Sequence, residues 1–277
     1  MKKKIVALLC TAAVTCTLLT GCGSSAADTA DTAAETMEET ADAAEETEEA
    51  DSADETEAVS DQEAADNVAA LIDAIYVQQR TDETDAQCAA AKEAWDALTD
   101  AQKERVAGEN ADPDYFGRDT GDASLDYHCN QDEIGENELL VVSFGTSFND
   151  SRVEDIKAIE DALQEAYPDW SVRRAFTAQI IINHVQARDG EAIDNMEQAL
   201  ERAVANGVQN LIIQPTHLMH GAEYDELVEA VEAYQDQFAS VAVAEPLLGE
   251  VGSDATVINE DKQAVVEALT AEAVAGA

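Results

Sequence analysis

Basic residues are scarce in this chain. It holds 15 Lys and Arg against 60 Asp and Glu, a formal charge of -45, so no basic face is available to neutralise phosphates and nucleic acid is excluded as a partner. Cysteine is scarce too. Cys10, Cys16, Cys22, Cys88 and Cys129 are spread widely, which excludes a disulfide framework and a CxxC metal site, leaving one disulfide between Cys88 and Cys129 as the most the mature chain can hold. Long apolar runs are missing as well. The stretch from Ile5 to Leu19 is about 15 residues, short of the roughly 20 that a membrane-spanning helix needs.

That short run has another reading. Lys2, Lys3 and Lys4 precede it and Leu19-Thr20-Gly21-Cys22 ends it, which is the charged, apolar and small-residue order of an export signal. A cysteine after the small residues resembles a bacterial lipobox, so residues 1–21 are expected to be a lipoprotein signal peptide. Cys22 would then carry lipid and anchor the chain to the outer face of the cytoplasmic membrane, since acyl chains contribute about 0.8 kcal/mol per buried methylene. From Asp28 to Asp66 there are 17 Asp or Glu and no Lys or Arg. Such a stretch cannot offset its ordering entropy, so residues 22–66 are expected to be a disordered acidic linker.

Beyond the linker the periodicity becomes helical. Val68, Leu71, Ile72, Ile75 and Tyr76 recur at three and four, and Cys88, Ala91, Trp95 and Leu98 do the same from about Asp85 to Leu98. Thr99-Asp100-Ala101-Gln102 reads as an N-cap and first turn of a further short helix ending near Gly108. Residues 67–108 are therefore expected to form a small helical module. Residues 109–137, rich in Asp, Asn and Gly, read as an irregular connector.

Residues 138–277 then alternate strand and helix. The apolar run Leu139–Phe144 reads as a strand covered on both faces, followed by a turn over 145–151 and a helix to about Tyr167. A strand over 171–176, helices over 179–188 and 193–206, a strand over 208–215, a helix over 224–238, a strand over 241–244 and a helix from about Glu260 complete the series. This alternation predicts an α/β fold with a parallel sheet flanked by helices. In such sheets ligands sit at the carboxyl ends of the strands, which points to the 143–151 loop, the 176–180 turn and the 214–224 loop.

The last of these loops carries the chemistry. Gln214-Pro215-Thr216-His217-Leu218-Met219-His220-Gly221-Ala222-Glu223-Tyr224 places two imidazoles and a carboxylate just beyond a buried strand. Imidazole suits transition metals and a nearby carboxylate ligates or accepts protons, so His217, His220 and Glu223 are the candidate metal-holding set.

Four segments in order, Leu140–Arg152, Arg173–Thr177, Arg188-Asp189-Gly190 with Ile193-Asp194, and Gln214–His217 with Gly221–Tyr224, resemble the anaerobic-type sirohydrochlorin cobaltochelatases over about residues 138–277. The resemblance implies one α/β half of a class II chelatase fold, in which two such halves face each other across a tetrapyrrole cleft. It implies insertion of Co²⁺, as substrate metal and with no organic cofactor, into sirohydrochlorin on the oxygen-independent route to cobalamin. Glu223 then matches the family's active-site glutamate and His217 the histidine of its Pro-Thr-His motif, both as catalytic residues. Arg152, Arg173 and Arg174, with Arg188, are the cations expected to meet the carboxylates of the tetrapyrrole. The family's further histidines lie in the second half, in a Gly-His-Gly-type motif, and no histidine follows His220 here. The chain therefore reads as the front half of a chelatase, to be completed by a missing C-terminal half or by a homodimer. A membrane-anchored protein that binds haem, another tetrapyrrole or a metal ion outside the cytoplasm, without inserting metal, is the alternative.

Overall fold

A computed structural model of the chain describes residues 46–118, 120–249 and 258–275. The expected signal peptide and Cys22 lie outside the described residues.

Helix α1 (Glu46–Ile75) begins inside the stretch expected to be a disordered linker, of which residues 22–45 lie outside the described residues. Ala and Glu are strong helix formers, and the end of the helix has an apolar face to bury: Ala65, Val68, Ala69, Ile72 and Ile75 are all inaccessible. They pack with Cys88, Ala91 and Trp95 of α2 (Thr84–Ala97). Helix α3 (Asp100–Lys103) opens at the expected N-cap, which is a capping box with Gln102 N donating to Thr99 Oγ1 and Thr99 N to Gln102 Oε1, and it ends before the expected Gly108. The connector is more ordered than expected. It holds α4 (Pro113–Phe116) and a 3₁₀ turn at Ala123–Leu125. The Phe116 ring meets Trp95 edge-on at 5.1 Å.

The α/β part starts with β1 (Asn137–Ser143), buried along nearly its whole length. The expected helix after it is a composite: α5 (Asn149–Ser151), a π turn over Arg152–Lys157 and α6 (Ala158–Ala166). Strand β2 (Ser171–Phe176) leads to α7 (Gln179–Asp189). Helix α8 (Met196–Ala205) starts later than the apolar pattern suggested, because Asn195 caps it through Gln198 in a second capping box. Strand β3 (Asn210–Pro215), α9 (Ala222–Glu232), β4 (Ser240–Val243) and α10 (Glu260–Ala275) follow. All pairings are parallel and the strand order is β2-β1-β3-β4.

Alternation along β1 sorts the side chains onto two faces. Leu140 and Val142 join Ala175, Leu211 and Ile213 under α8 and α9; Leu139 and Val141 join Val172 against Ile159 and Leu163 of α6. The sheet is thus covered on both sides, as its continuous apolar strands require. Because β2 and β3 lie on opposite sides of β1, the chain reverses direction across the sheet between β1 and β3. The carboxyl ends of those two strands form the switch point at which open α/β sheets bind ligands.

The helical module and the α/β part share a core. Ala187 of α7 belongs to the same buried cluster as Cys88 and Trp95. Asn183 Nδ2 donates to Ile75 O at 2.9 Å, Gln186 Nε2 to Asp85 Oδ1 at 2.9 Å, and Lys92 Nζ to Arg188 O at 3.3 Å. The module therefore packs against the α/β part through α7.

Candidate active site

At the switch point the chain turns sharply on Gly145, whose φ of +97° is open to glycine at little cost. A Cβ there would lie 2.5 Å from the Phe176 ring. Across from it, Thr216 continues the ladder beyond β3, its N donating to Val142 O at 2.9 Å and its hydroxyl to Ser143 Oγ at 2.9 Å. The residues after β4 hold the other side of the loop: Leu247 N donates to His217 O and Leu248 N to Leu218 O, each at 2.9 Å. The loop is thus held on one side through Thr216 and on the other through His217 and Leu218.

The His217 side chain is 9% exposed, and neither ring nitrogen has a hydrogen-bond partner. Its Nε2 stands 3.6 Å from Glu223 Oε2, and the Glu223 side chain is 46% exposed on the first turn of α9. Burial pushes the His217 imidazolium down in pKa and the Glu223 charge works against that shift, so the ring is held neutral at pH 7 with lone-pair nitrogen available. An unsatisfied buried polar group costs about 1–3 kcal/mol. A neutral imidazole beside a solvent-facing carboxylate is a pair that can hold a divalent ion and accept a proton.

His220 is placed elsewhere. Its Nε2 lies 2.8 Å from Glu245 Oε2, beyond β4, and its ring meets Tyr224 edge-on at 4.3 Å. Of the expected set, His217 and Glu223 are brought together and His220 is paired with Glu245 instead. No group of three or more His, Cys, Asp or Glu side chains arranged to hold a metal occurs among the described residues. Gly221, in extended backbone, precedes the first turn of α9 that carries Glu223.

Arg152, Arg173 and Arg174, expected to meet substrate carboxylates, are placed in the interior. All three are buried at 0–1% exposure. Arg174 is bidentate to Asp126 and to Glu160, with contacts of 2.7–2.9 Å. Arg152 Nε donates to Asp126 Oδ2 at 3.1 Å. Arg173 binds Glu138 at 3.1 Å and Asp194 at 3.0 Å. Burial raises the Glu138 carboxyl to about 7 against the pull of Arg173. On Asp126 burial also pushes upward, but the two arginines overcome it and hold the group below its usual value. Buried and ion-paired in this way, these guanidiniums face the interior and not the edge of the sheet. Buried Arg needs such partners, and the partners sit far away in sequence.

Two features escaped the sequence reading. Glu245 follows the fourth strand, so the same carboxyl-end rule could have found it. Phe144, Phe148, Leu218, Met219 and Leu247 are all exposed, and all follow β1, β3 or β4 at that same edge. Apolar side chains gathered at one edge mark a binding surface.

A doubly wound parallel domain with a neutral histidine, a solvent-facing carboxylate and an apolar rim at its switch point defines an α/β ligand-handling protein. Comparison with known sequences narrows the class. Residues 137–275, about half of the chain, match the family described as "Cobalt chelatase (CbiK)", and the chain belongs to that family. It is 41% identical over 110 residues to a sirohydrochlorin cobaltochelatase of Salmonella typhimurium, covering 40% of this chain and 42% of that protein. It is 29% identical over 116 residues to the sirohydrochlorin cobaltochelatase CbiKC of Nitratidesulfovibrio vulgaris, covering 41% and 40%. The chain thus spans about two fifths of the length of these curated relatives.

Proposed function

We propose that this chain forms one half of a sirohydrochlorin cobaltochelatase site and takes part in inserting Co²⁺, the substrate metal, into sirohydrochlorin. The observation that carries the reading is the His217–Glu223 pair, with both imidazole nitrogens unpartnered beside an accessible carboxylate, in a domain of the cobalt chelatase family.

Metal insertion removes the pyrrole protons and delivers a divalent ion to the ring. Glu223 is the exposed base for that transfer. His217 supplies a neutral nitrogen for the ion before it leaves for the macrocycle. The apolar side chains Phe144, Leu218 and Met219 give a planar ring a surface on which to lie.

Lipid attachment at Cys22, and with it a place on the outer face of the cytoplasmic membrane, remains part of the proposal, supported by the Lys2–Cys22 segment. That segment also supports a second reading, in which the chain holds haem, another tetrapyrrole or a metal outside the cytoplasm without inserting metal. One experiment separates the two. The full chain is mixed with sirohydrochlorin and Co²⁺ and its absorption spectrum followed: growth of the cobalt-sirohydrochlorin spectrum supports insertion, and a bound spectrum that stays metal-free supports holding alone.

A further inference from the structure

Beside the His217–Glu223 pair lies a cleft of about 390 Å³ whose lining comes from two parts of the chain. Glu223, Thr177, Gln179 and Asn195 come from the carboxyl edge of the sheet. Gln78, Gln79 and Arg80 come from the helical module, outside the residues that match the chelatase family. We infer that the segment Gln78–Arg80 is a substrate-recognition element that holds a peripheral carboxylate of the tetrapyrrole through the Arg80 guanidinium. This rests on the chelatase reading of the Glu223 site and extends it to residues the family match does not include.

Arg80 is suited to the task. Its guanidinium is engaged at one end by Asp85, whose carboxylate also accepts from Gln186 Nε2 at 2.9 Å. The Gln186 bond leads the effects that keep Asp85 below the usual carboxylate pKa range, with burial opposing and Arg80 adding to it, so Asp85 stays charged and fixes the arginine. The Arg80 side chain is 21% exposed. Arg carries five N–H donors in a planar fork, and the hydrogen bond to Asp85 uses the Nη2 end alone. The rest of the fork is free to take a carboxylate in the bidentate geometry Arg favours.

The surroundings say why a cation is needed there. Glu223, Glu197 and Glu226 line the same cleft, and Arg80 is its one cationic lining residue among the described residues. A carboxylate-bearing ring approaching Glu223 meets like charge unless a cation offsets it. The other side-chain donors are neutral: Asn195 Nδ2 donates to Gln179 Oε1 and Gln179 Nε2 to Asn183 Oδ1, both at 2.8 Å, and the Thr177 hydroxyl carries no charge. At this volume the cleft sits at the small end of ligand pockets. It has room for one edge of a macrocycle and its acid arm.

The test measures binding of sirohydrochlorin, and of its methyl ester, to the full chain and to Arg80→Ala, Arg80→Lys and Gln79→Glu. Arg80→Ala is expected to weaken the free acid about tenfold and leave the ester unchanged. Arg80→Lys should recover part of the loss, and Gln79→Glu, which adds a repelling charge without touching the Asp85 pair, should weaken the acid alone. Where Co²⁺ insertion is followed, KM rises and kcat holds. Equal affinity of wild type and Arg80→Ala for the acid, or equal losses for acid and ester, would overturn the inference while leaving the chelatase reading intact. Failure of the wild-type chain to bind sirohydrochlorin would overturn both.

Discussion

His217 and Glu223 face each other at 3.6 Å, six residues apart in sequence, with the imidazole almost fully buried and the carboxylate in solvent. Burial of an imidazole with no partner on either nitrogen is a stability cost held in place by the backbone hydrogen bonds from β1 and from Leu247. Sites that carry function are where such costs collect. His217→Leu should therefore keep or raise stability, by about 1 kcal/mol, while Co²⁺ uptake falls. Denaturant unfolding and metallation rates on the same preparations check this; a large loss of stability would mean that the ring has a structural duty.

The buried arginines make the opposite prediction. Arg174→Leu strands Asp126 and Glu160 in the interior and should cost about 3–5 kcal/mol of unfolding free energy. Removing Asp126 as well should not restore it, because Arg152 would then lose its own buried partner. If Arg174 held substrate carboxylates, the variant would fold normally and lose affinity for the ring.

A third prediction concerns acid. Burial, reinforced by the charges of Arg188 and Arg152 and opposed by Asp189, lowers His184 to about 4 from an ordinary 6.5. Between those values the unfolded chain binds a proton that the native chain refuses, so stability is full above 6.5 and drains as pH falls towards 4. The loss approaches about 3 kcal/mol. Glu138, raised to about 7, contributes with the opposite sign. The difference between wild type and His184→Gln isolates the histidine: their stabilities should converge as pH falls from 7 to 4, and parallel curves would refute the assignment.

Cys88 and Cys129 are free and buried. Burial, aided by the nearby charges of Asp85 and Glu160, raises their thiols to about 11 and about 12, and the thiolate is the reactive form. Peptide mapping after iodoacetamide treatment at pH 8 should find both unmodified in the native chain and both alkylated after unfolding. Labelling of either in the native chain would contradict its placement.

How far the sequence discloses these features follows from the range of the interactions. The apolar run Leu139–Phe144, the Thr99–Gln102 cap and the strand-helix alternation are local signals, and the fold follows from them. His217 and Glu223 were legible because they share one loop and follow a strand. The pairing of His220 with Glu245 was not, since it spans 25 residues and depends on β4 lying beside β3. The burial of Arg174, expected as a cation for the tetrapyrrole's carboxylates, was hidden because its partners Asp126 and Glu160 come from the connector and from α6. Docking of the helical module on α7 was hidden for the same reason: Asn183 and Ile75 are 108 residues apart. The acidic stretch misled in part, because charge density hid the helix-forming Ala and Glu and the face built around Ala65 and Val68.

The most direct test of the chelatase centre is the initial rate of Co²⁺ insertion into sirohydrochlorin by the full chain and by Glu223→Gln, with ring binding measured alongside. The site predicts that the variant binds the ring as wild type does and inserts cobalt about 10²–10⁴-fold more slowly. Unchanged insertion in Glu223→Gln would contradict the placement of the chemistry at the end of β3.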